Sequence, residues 1–259
     1  MLARRGVILG AAGLPLALPA LARILANPLL AAAVAGTLEE AAITTEKGRS
    51  VKAALALPAT TPAPAVLLIH EWWGLNDQIK SMAAELAREG YLALAVDLFE
   101  GKVTAKSDEA RALVGAVRNE DALDTLAAWI GWLKRHPKST GKVATLGWCF
   151  GGAWALNAAI AAPVDATIVY YGRVTRVAAD LKNLKGPVLG HFARRDQFID
   201  EPMVMAWEAE MQAAGKAYRS YWYEADHAFA NPTGGRYDAE DAKLAWRRTF
   251  AFLKAELGD

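Results

Sequence analysis

Lys142-Val143-Ala144-Thr145-Leu146-Gly147-Trp148-Cys149-Phe150-Gly151-Gly152 decides how this 259-residue chain is read. Residues 142–146 predict a buried strand, and residues 153–162 predict a helix. Between them stands a cysteine with a glycine two positions away on each side, the pattern of a nucleophile elbow. A strand that turns sharply into a helix holds its apex residue at strained angles and leaves no room for neighbouring side chains. Sulfur occupies the apex where serine is usual, and Cys149 is the chain's one cysteine.

Outward from the elbow, strand and helix signals alternate. Residues 65–69 are an unbroken apolar run of strand length, as expected for a strand covered on both faces. Residues 79–88 carry Ile79, Met82, Ala83 and Leu86 on one side of a helix that Gly90 closes, and residues 91–96 predict the next buried strand. Residues 50–57 predict an outer strand, and the prolines of residues 58–64 predict a turn or loop. Further helices are predicted over 107–117, with Ser107 as N-cap, and over 120–135, 201–214 and 238–257. Strands are predicted over 165–171, 187–192 and 218–223. This order specifies an α/β fold, with a mostly parallel sheet flanked by helices on both faces, as one domain over residues 36–259.

A thiol attacks as thiolate, and its ordinary pKa of about 8.5 leaves little of that form at neutral pH. A histidine can take the proton, and an acid can hold that histidine's ring. Parallel sheets carry functional loops at the carboxyl ends of their strands. There the sequence offers Asp196, after the strand at 187–192, and His227, after the strand at 218–223. Cys149, Asp196 and His227 follow the order nucleophile, acid, histidine of the α/β-hydrolase fold. Taken alone, Asp196 is equally read as a helix cap, and Asp226 lies too close to His227 in sequence to orient it well. Glu71, beside Trp72 and Trp73, is a carboxylate that is costly to bury unpartnered. It exchanges a proton with the thiol, binds another site residue, or caps the next helix. Backbone N–H groups after Glu71 and Cys149, those of Trp72 and Phe150, are candidates for an oxyanion hole.

The bulk composition excludes other classes. A formal charge of +1 gives no nucleic-acid footprint. One cysteine and four scattered histidines give no internal disulfide and no metal-ligand spacing, so no metal site is expected. The N-terminus departs from the rest. Arg4-Arg5 precedes an uncharged stretch over 6–22, and a second runs over 24–38, each with small residues near its end. This predicts an export signal over residues 1–35, of twin-arginine type although Gly6-Val7 follow the pair, cleaved after Ala22 or Ala35. Gly10, Gly13, Pro15 and Pro19 interrupt the first stretch and Arg23 ends it, which disfavours a stable membrane span in the mature protein. An uncleaved membrane anchor or a packed N-terminal helix is the alternative; export implies a periplasmic or secreted protein.

His70-Glu71-Trp72-Trp73-Gly74-Leu75-Asn76, Asp97-Leu98-Phe99, the elbow, Tyr170-Tyr171-Gly172, His191-Phe192 with Asp196, and Asp226-His227-Ala228-Phe229 together resemble the dienelactone hydrolase family. The resemblance implies an α/β-hydrolase fold and opening of an ester or lactone through an acyl-thioester on Cys149. It implies His227 as base and acid, Asp196 as orienting acid, and Glu71 as the carboxylate that meets the resting thiol. Trp72 and Phe150 would supply the oxyanion-hole N–H groups, and no metal or organic cofactor would be needed. Members that open the carboxylated dienelactone bind its carboxylate with arginines. Here one such position falls in Glu100-Gly101-Lys102 and the other is Asn231. Neither amide nor lysine reproduces a bidentate guanidinium clamp, so a different small-molecule ester or lactone is expected. Trp73, Trp148, Lys102 and Asn231 are the expected pocket residues. A broader carboxylesterase or thioesterase, and a non-catalytic ligand-binding or redox-sensing thiol protein, are the rival readings.

Overall fold

The computed structural model describes residues 28–258. Most of the expected export segment, including Arg4-Arg5 and the site after Ala22, lies outside the described residues. In chain order the elements are α1 (Pro28–Ala35), β1 (Glu39–Thr44), β2 (Ser50–Ala56), β3 (Ala63–Ile69), α2 (Asp77–Arg88), β4 (Leu92–Val96), α3 (Ser107–Ala116) and α4 (Asn119–Arg135). Then follow β5 (Ser139–Trp148), α5 (Phe150–Ala161), β6 (Ala166–Tyr170), α6 (Ala178–Leu181), β7 (Val188–Ala193), α7 (Glu201–Ala213), β8 (Tyr218–Tyr223) and α8 (Ala239–Leu257).

The strands form one sheet in the order β1-β2-β4-β3-β5-β6-β7-β8. β1 with β2 and β2 with β4 pair antiparallel, and the remaining neighbours pair parallel. β3 and β4 are buried along their whole length, which is why each reads as continuous apolar sequence. Alternate β3 residues serve opposite cores. Val66 and Leu68 join Ile79, Met82 and Leu86 of α2 and Trp246 and Leu253 of α8. Leu67 and Ile69 join Leu126 and Leu133 of α4, Leu156 of α5 and Val204 of α7. Each such side chain contributes about 1.5–3 kcal/mol on leaving water.

Three details differ from the sequence reading. The polar, alanine-rich Glu39–Thr44 forms the edge strand, so β2 is one strand further in than expected. β3 begins at Ala63 and includes Pro64; its register against β5 shifts between Ala63 and Ala65, where a residue without an N–H is tolerated. Ser107 lies inside α3, whose N-cap is Lys106 with no side-chain bond. By contrast Asn76, Asp200 and Asp238 do cap α2, α7 and α8.

The chain runs from β3 to β4 on one side and returns to β5 on the other. That reversal opens a crevice at the carboxyl ends of β3 and β5, where such sheets bind ligands. Glu71 follows β3, Cys149 follows β5, Tyr171 follows β6, Asp196 follows β7 and His227 follows β8.

Candidate active site

Cys149 adopts φ 52° and ψ −114° between β5 and α5. That conformation costs a non-glycine residue roughly 1–3 kcal/mol. Its N–H donates to the Tyr170 carbonyl at 3.0 Å, and its carbonyl accepts from Gly152 N–H at 3.1 Å. The flanking glycines serve close approach rather than unusual φ. A Cβ on Gly147 would lie 2.1 Å from the Gly151 carbonyl oxygen, and one on Gly151 would lie 2.1 Å from that of Ile69. The elbow is thereby pressed against the end of β3. Tyr171 (φ 37°) and Ala228 (φ 67°) are also strained, so three of the four non-glycine residues with positive φ among the described residues border this site.

Asp196, His227 and Cys149 form a continuous relay. The Asp196 carboxylate, with no exposed side-chain surface, accepts through Oδ2 from His227 Nδ1 at 2.7 Å. Its Oδ1 accepts from the Phe198 and Ile199 N–H groups at 2.8 and 3.0 Å. With the ring proton on Nδ1, Nε2 is left as acceptor for the Cys149 thiol at 3.2 Å. The rings of Tyr171 and Phe198 meet the imidazole edge-on, at 5.2 and 5.3 Å, and hold its plane. Asp226, the rival acid, pairs at the surface with Arg195 at 3.5 Å. Burial first, then the charge of Glu71, pushes the thiol up to about 12, against the opposing Phe150 N–H. Cys149 therefore rests as a thiol.

Glu71 is 3% exposed. Burial raises its carboxyl from 4.5 to about 7, opposed chiefly by the hydrogen bond from Asn231. Asn231 Nδ2 donates to Glu71 Oε2. The amide orientation follows from its other end: Oδ1 accepts from the Thr233 N–H at 2.9 Å and hydroxyl at 2.7 Å. Glu71 Oε1 and the Tyr171 hydroxyl, both buried, complete no hydrogen bond. The Tyr171 hydroxyl nevertheless lies near enough to favour the carboxylate.

The expected pocket residues separate. Trp73 stays beside Trp72 at the β3 loop, their rings 4.7 Å apart, and both are half-buried. Trp148 does not line a pocket. It continues the inward alternation of Ala144 and Leu146 and packs in the core against Tyr170 and Trp246, 1% exposed. Asn231 is likewise a buried partner of Glu71 rather than a pocket-wall residue, because both ends of its amide are engaged inside the protein. Lys102 is exposed on the rim of a cleft of about 810 Å³ whose lining includes neither Cys149 nor His227. Tyr171 stands in the sequence only within the Tyr170-Tyr171-Gly172 block, at the end of the strand expected over 165–171; the strand stops at Tyr170, which puts Tyr171 in the site. Among the described residues no group of three or more His, Cys, Asp or Glu side chains is arranged to hold a metal.

Comparison with known proteins gives the family and the fold. Residues 51–257 match the dienelactone hydrolase family. The chain belongs to that family. A carboxymethylenebutenolidase of Pseudomonas putida is 30% identical over 217 residues, which cover 80% of this chain and 92% of the relative. Protein usf of Aquifex pyrophilus is 32% identical over 209 residues, covering 75% and 89%. The crystal structure of a dienelactone hydrolase-like promiscuous phosphotriesterase from metagenomic libraries superposes with a TM-score of 0.78 at 23% identity, over 85% of this chain and 99% of that one. The fold is thus α/β-hydrolase-like, and this member of the dienelactone hydrolase family is a hydrolase of ester or lactone bonds.

Proposed function

We propose that the protein hydrolyses an uncharged ester or lactone through an acyl-thioester on Cys149. The observation that carries this reading is the relay from Asp196 through His227 to the thiol, at 2.7 and 3.2 Å. With the thiol near 12, roughly one molecule in 10⁵ holds free thiolate at pH 7, so the proton leaves as the bond to carbon forms. His227 Nε2 takes that proton while sulfur attacks the acyl carbon, and the carbonyl π electrons move to oxygen. The N–H groups of Trp72 and Phe150 hold this oxyanion. Its collapse breaks the acyl C–O bond, and His227 protonates the departing alkoxide. Water, deprotonated by His227, then attacks the thioester; the C–S bond breaks and sulfur recovers its proton.

Protonation of Glu71, whose charge opposes the thiolate, would ease this transfer to His227. Family members named carboxymethylenebutenolidase suggest a lactone. The engaged amide of Asn231 and the exposed Lys102 favour one without a carboxylate. Short-chain aryl esters and neutral lactones, assayed with wild type, Cys149→Ala and His227→Ala, test the proposal. Loss of turnover in both variants and an acyl adduct on Cys149 are expected. Turnover equal in all three proteins rules out this nucleophile.

We further propose that the protein is exported and cleaved after Ala35. Helix α1 buries Ala31 and Ala35 against α2, but leaves Leu29 82% and Leu30 47% exposed. Beneath α1, Ser81 donates to the Ala31 carbonyl, and Ser81 shares the α2 stripe of Gln78 and Glu85, all buried. Gln78 Oε1 there makes no hydrogen bond, and burial raises the Glu85 carboxyl. A helix with leucines outward and alanines over a polar stripe is poorly suited to a permanent place. N-terminal sequencing of periplasmic protein should begin at Gly36. A start at Arg23 refutes cleavage after Ala35, and an intact cytosolic chain refutes export.

A further inference from the structure

We propose that His70, outside the relay, is the positioning residue of the oxyanion hole. This rests on the acyl-transfer reading above, which assigns the hole to the N–H groups of Trp72 and Phe150. His70 is wholly buried, and both ring nitrogens are engaged by backbone. Nε2 lies 3.2 Å from the Leu98 N–H, which can only donate, so Nε2 is the acceptor. The ring proton therefore sits on Nδ1 and is donated to the Glu71 carbonyl at 2.6 Å.

That bond fixes the peptide joining Glu71 to Trp72. In a trans peptide the carbonyl and the following N–H point in opposite directions. Holding the Glu71 carbonyl on His70 turns the Trp72 N–H away from the ring, and among the described residues that N–H has no other partner. The Gly74 N–H donates to the same carbonyl at a longer 3.3 Å and closes the turn. His70 also faces the side chain of the residue that carries the other half of the hole: its ring lies nearly parallel to that of Phe150, centroids 5.9 Å and planes 22° apart, with Phe99 against it at 4.6 Å. One side chain thus aligns the β3 loop, the β4 loop and the elbow. Burial lowers the His70 pKa, consistent with the neutral ring this geometry requires.

Asparagine and glutamine separate the two bonds, since Asn presents its amide near the Nδ1 position and Gln near the Nε2 position. Aryl-ester turnover, inhibition by a trifluoromethyl ketone, and alkylation of Cys149 by iodoacetamide are measured on the full chain and on His70→Asn, His70→Gln and His70→Leu. The ketone places an oxyanion in the hole, whereas alkylation needs none. His70→Leu and His70→Gln should lose about 10²-fold in kcat and in ketone affinity with KM and alkylation nearly unchanged, and His70→Asn should keep kcat within about tenfold. Full kcat in His70→Leu overturns the inference, as do equal losses in the Asn and Gln variants. Should His70→Leu not fold, the Asn and Gln pair decides alone. Wild type without esterase activity or without an acyl-Cys149 would instead refute the underlying mechanism.

Discussion

Glu71→Gln should stabilise the protein progressively as pH rises from about 4.5, with nearly the full effect present by pH 7. The folded carboxyl titrates near 7 against an ordinary 4.5, so between those values the folded chain binds more protons than the unfolded one. Stability then falls as pH rises through this window and levels off above it. At about 1.4 kcal/mol for each pH unit, the ionised carboxylate costs about 3 kcal/mol by pH 8. Glutamine keeps the shape and still accepts from Asn231 Nδ2, but never ionises. Urea unfolding of both proteins at pH 5, 6, 7 and 8 measures the difference, which should grow from under about 1 kcal/mol at pH 5 to about 3 kcal/mol at pH 8, the latter about 6–12 °C in Tm for a chain of this size. The low-lying His191, near 3, is common to both proteins and cancels. A difference that does not change with pH, or a variant less stable at pH 8, refutes the reasoning.

Other perturbations probe the same geometry. Glu71→Gln also removes a charge that raises the thiol pKa, so iodoacetamide should alkylate Cys149 severalfold faster at pH 8. Asn231→Asp sets a second carboxylate against Glu71; unfolding assays should show a loss of about 1–3 kcal/mol at pH 8 that largely recovers at pH 5. Asp196→Asn should lower kcat by about 10²–10⁴ with little change in KM, because the amide disturbs the tautomer that leaves Nε2 free for the thiol. Gly151→Ala should cost more than about 3 kcal/mol or give no soluble protein, since its Cβ would meet strand backbone that cannot retreat.

Much of this site was legible because its residues occupy strand ends. Cys149, Asp196 and His227 each follow a buried strand, and apolar runs such as 65–69 mark such strands plainly. Glu39–Thr44 gives no strand signal, because an exposed edge strand needs no apolar run. Trp148 is a core residue rather than a pocket one because the alternation of β5 sends its side chain inward, although the next residue is the thiol.

Residue order alone therefore determined the parallel α/β architecture, the glycine-framed thiol and its two relay partners, since these depend on local apolar runs and backbone crowding. Only the tertiary structure decided that Asn231 serves Glu71, that Thr233 fixes the amide's direction, and that His70 carries its proton on Nδ1. Those roles arise from groups up to 160 positions apart meeting where water is excluded. There each polar atom must find a partner, and the partner is set by packing, not by spacing along the chain.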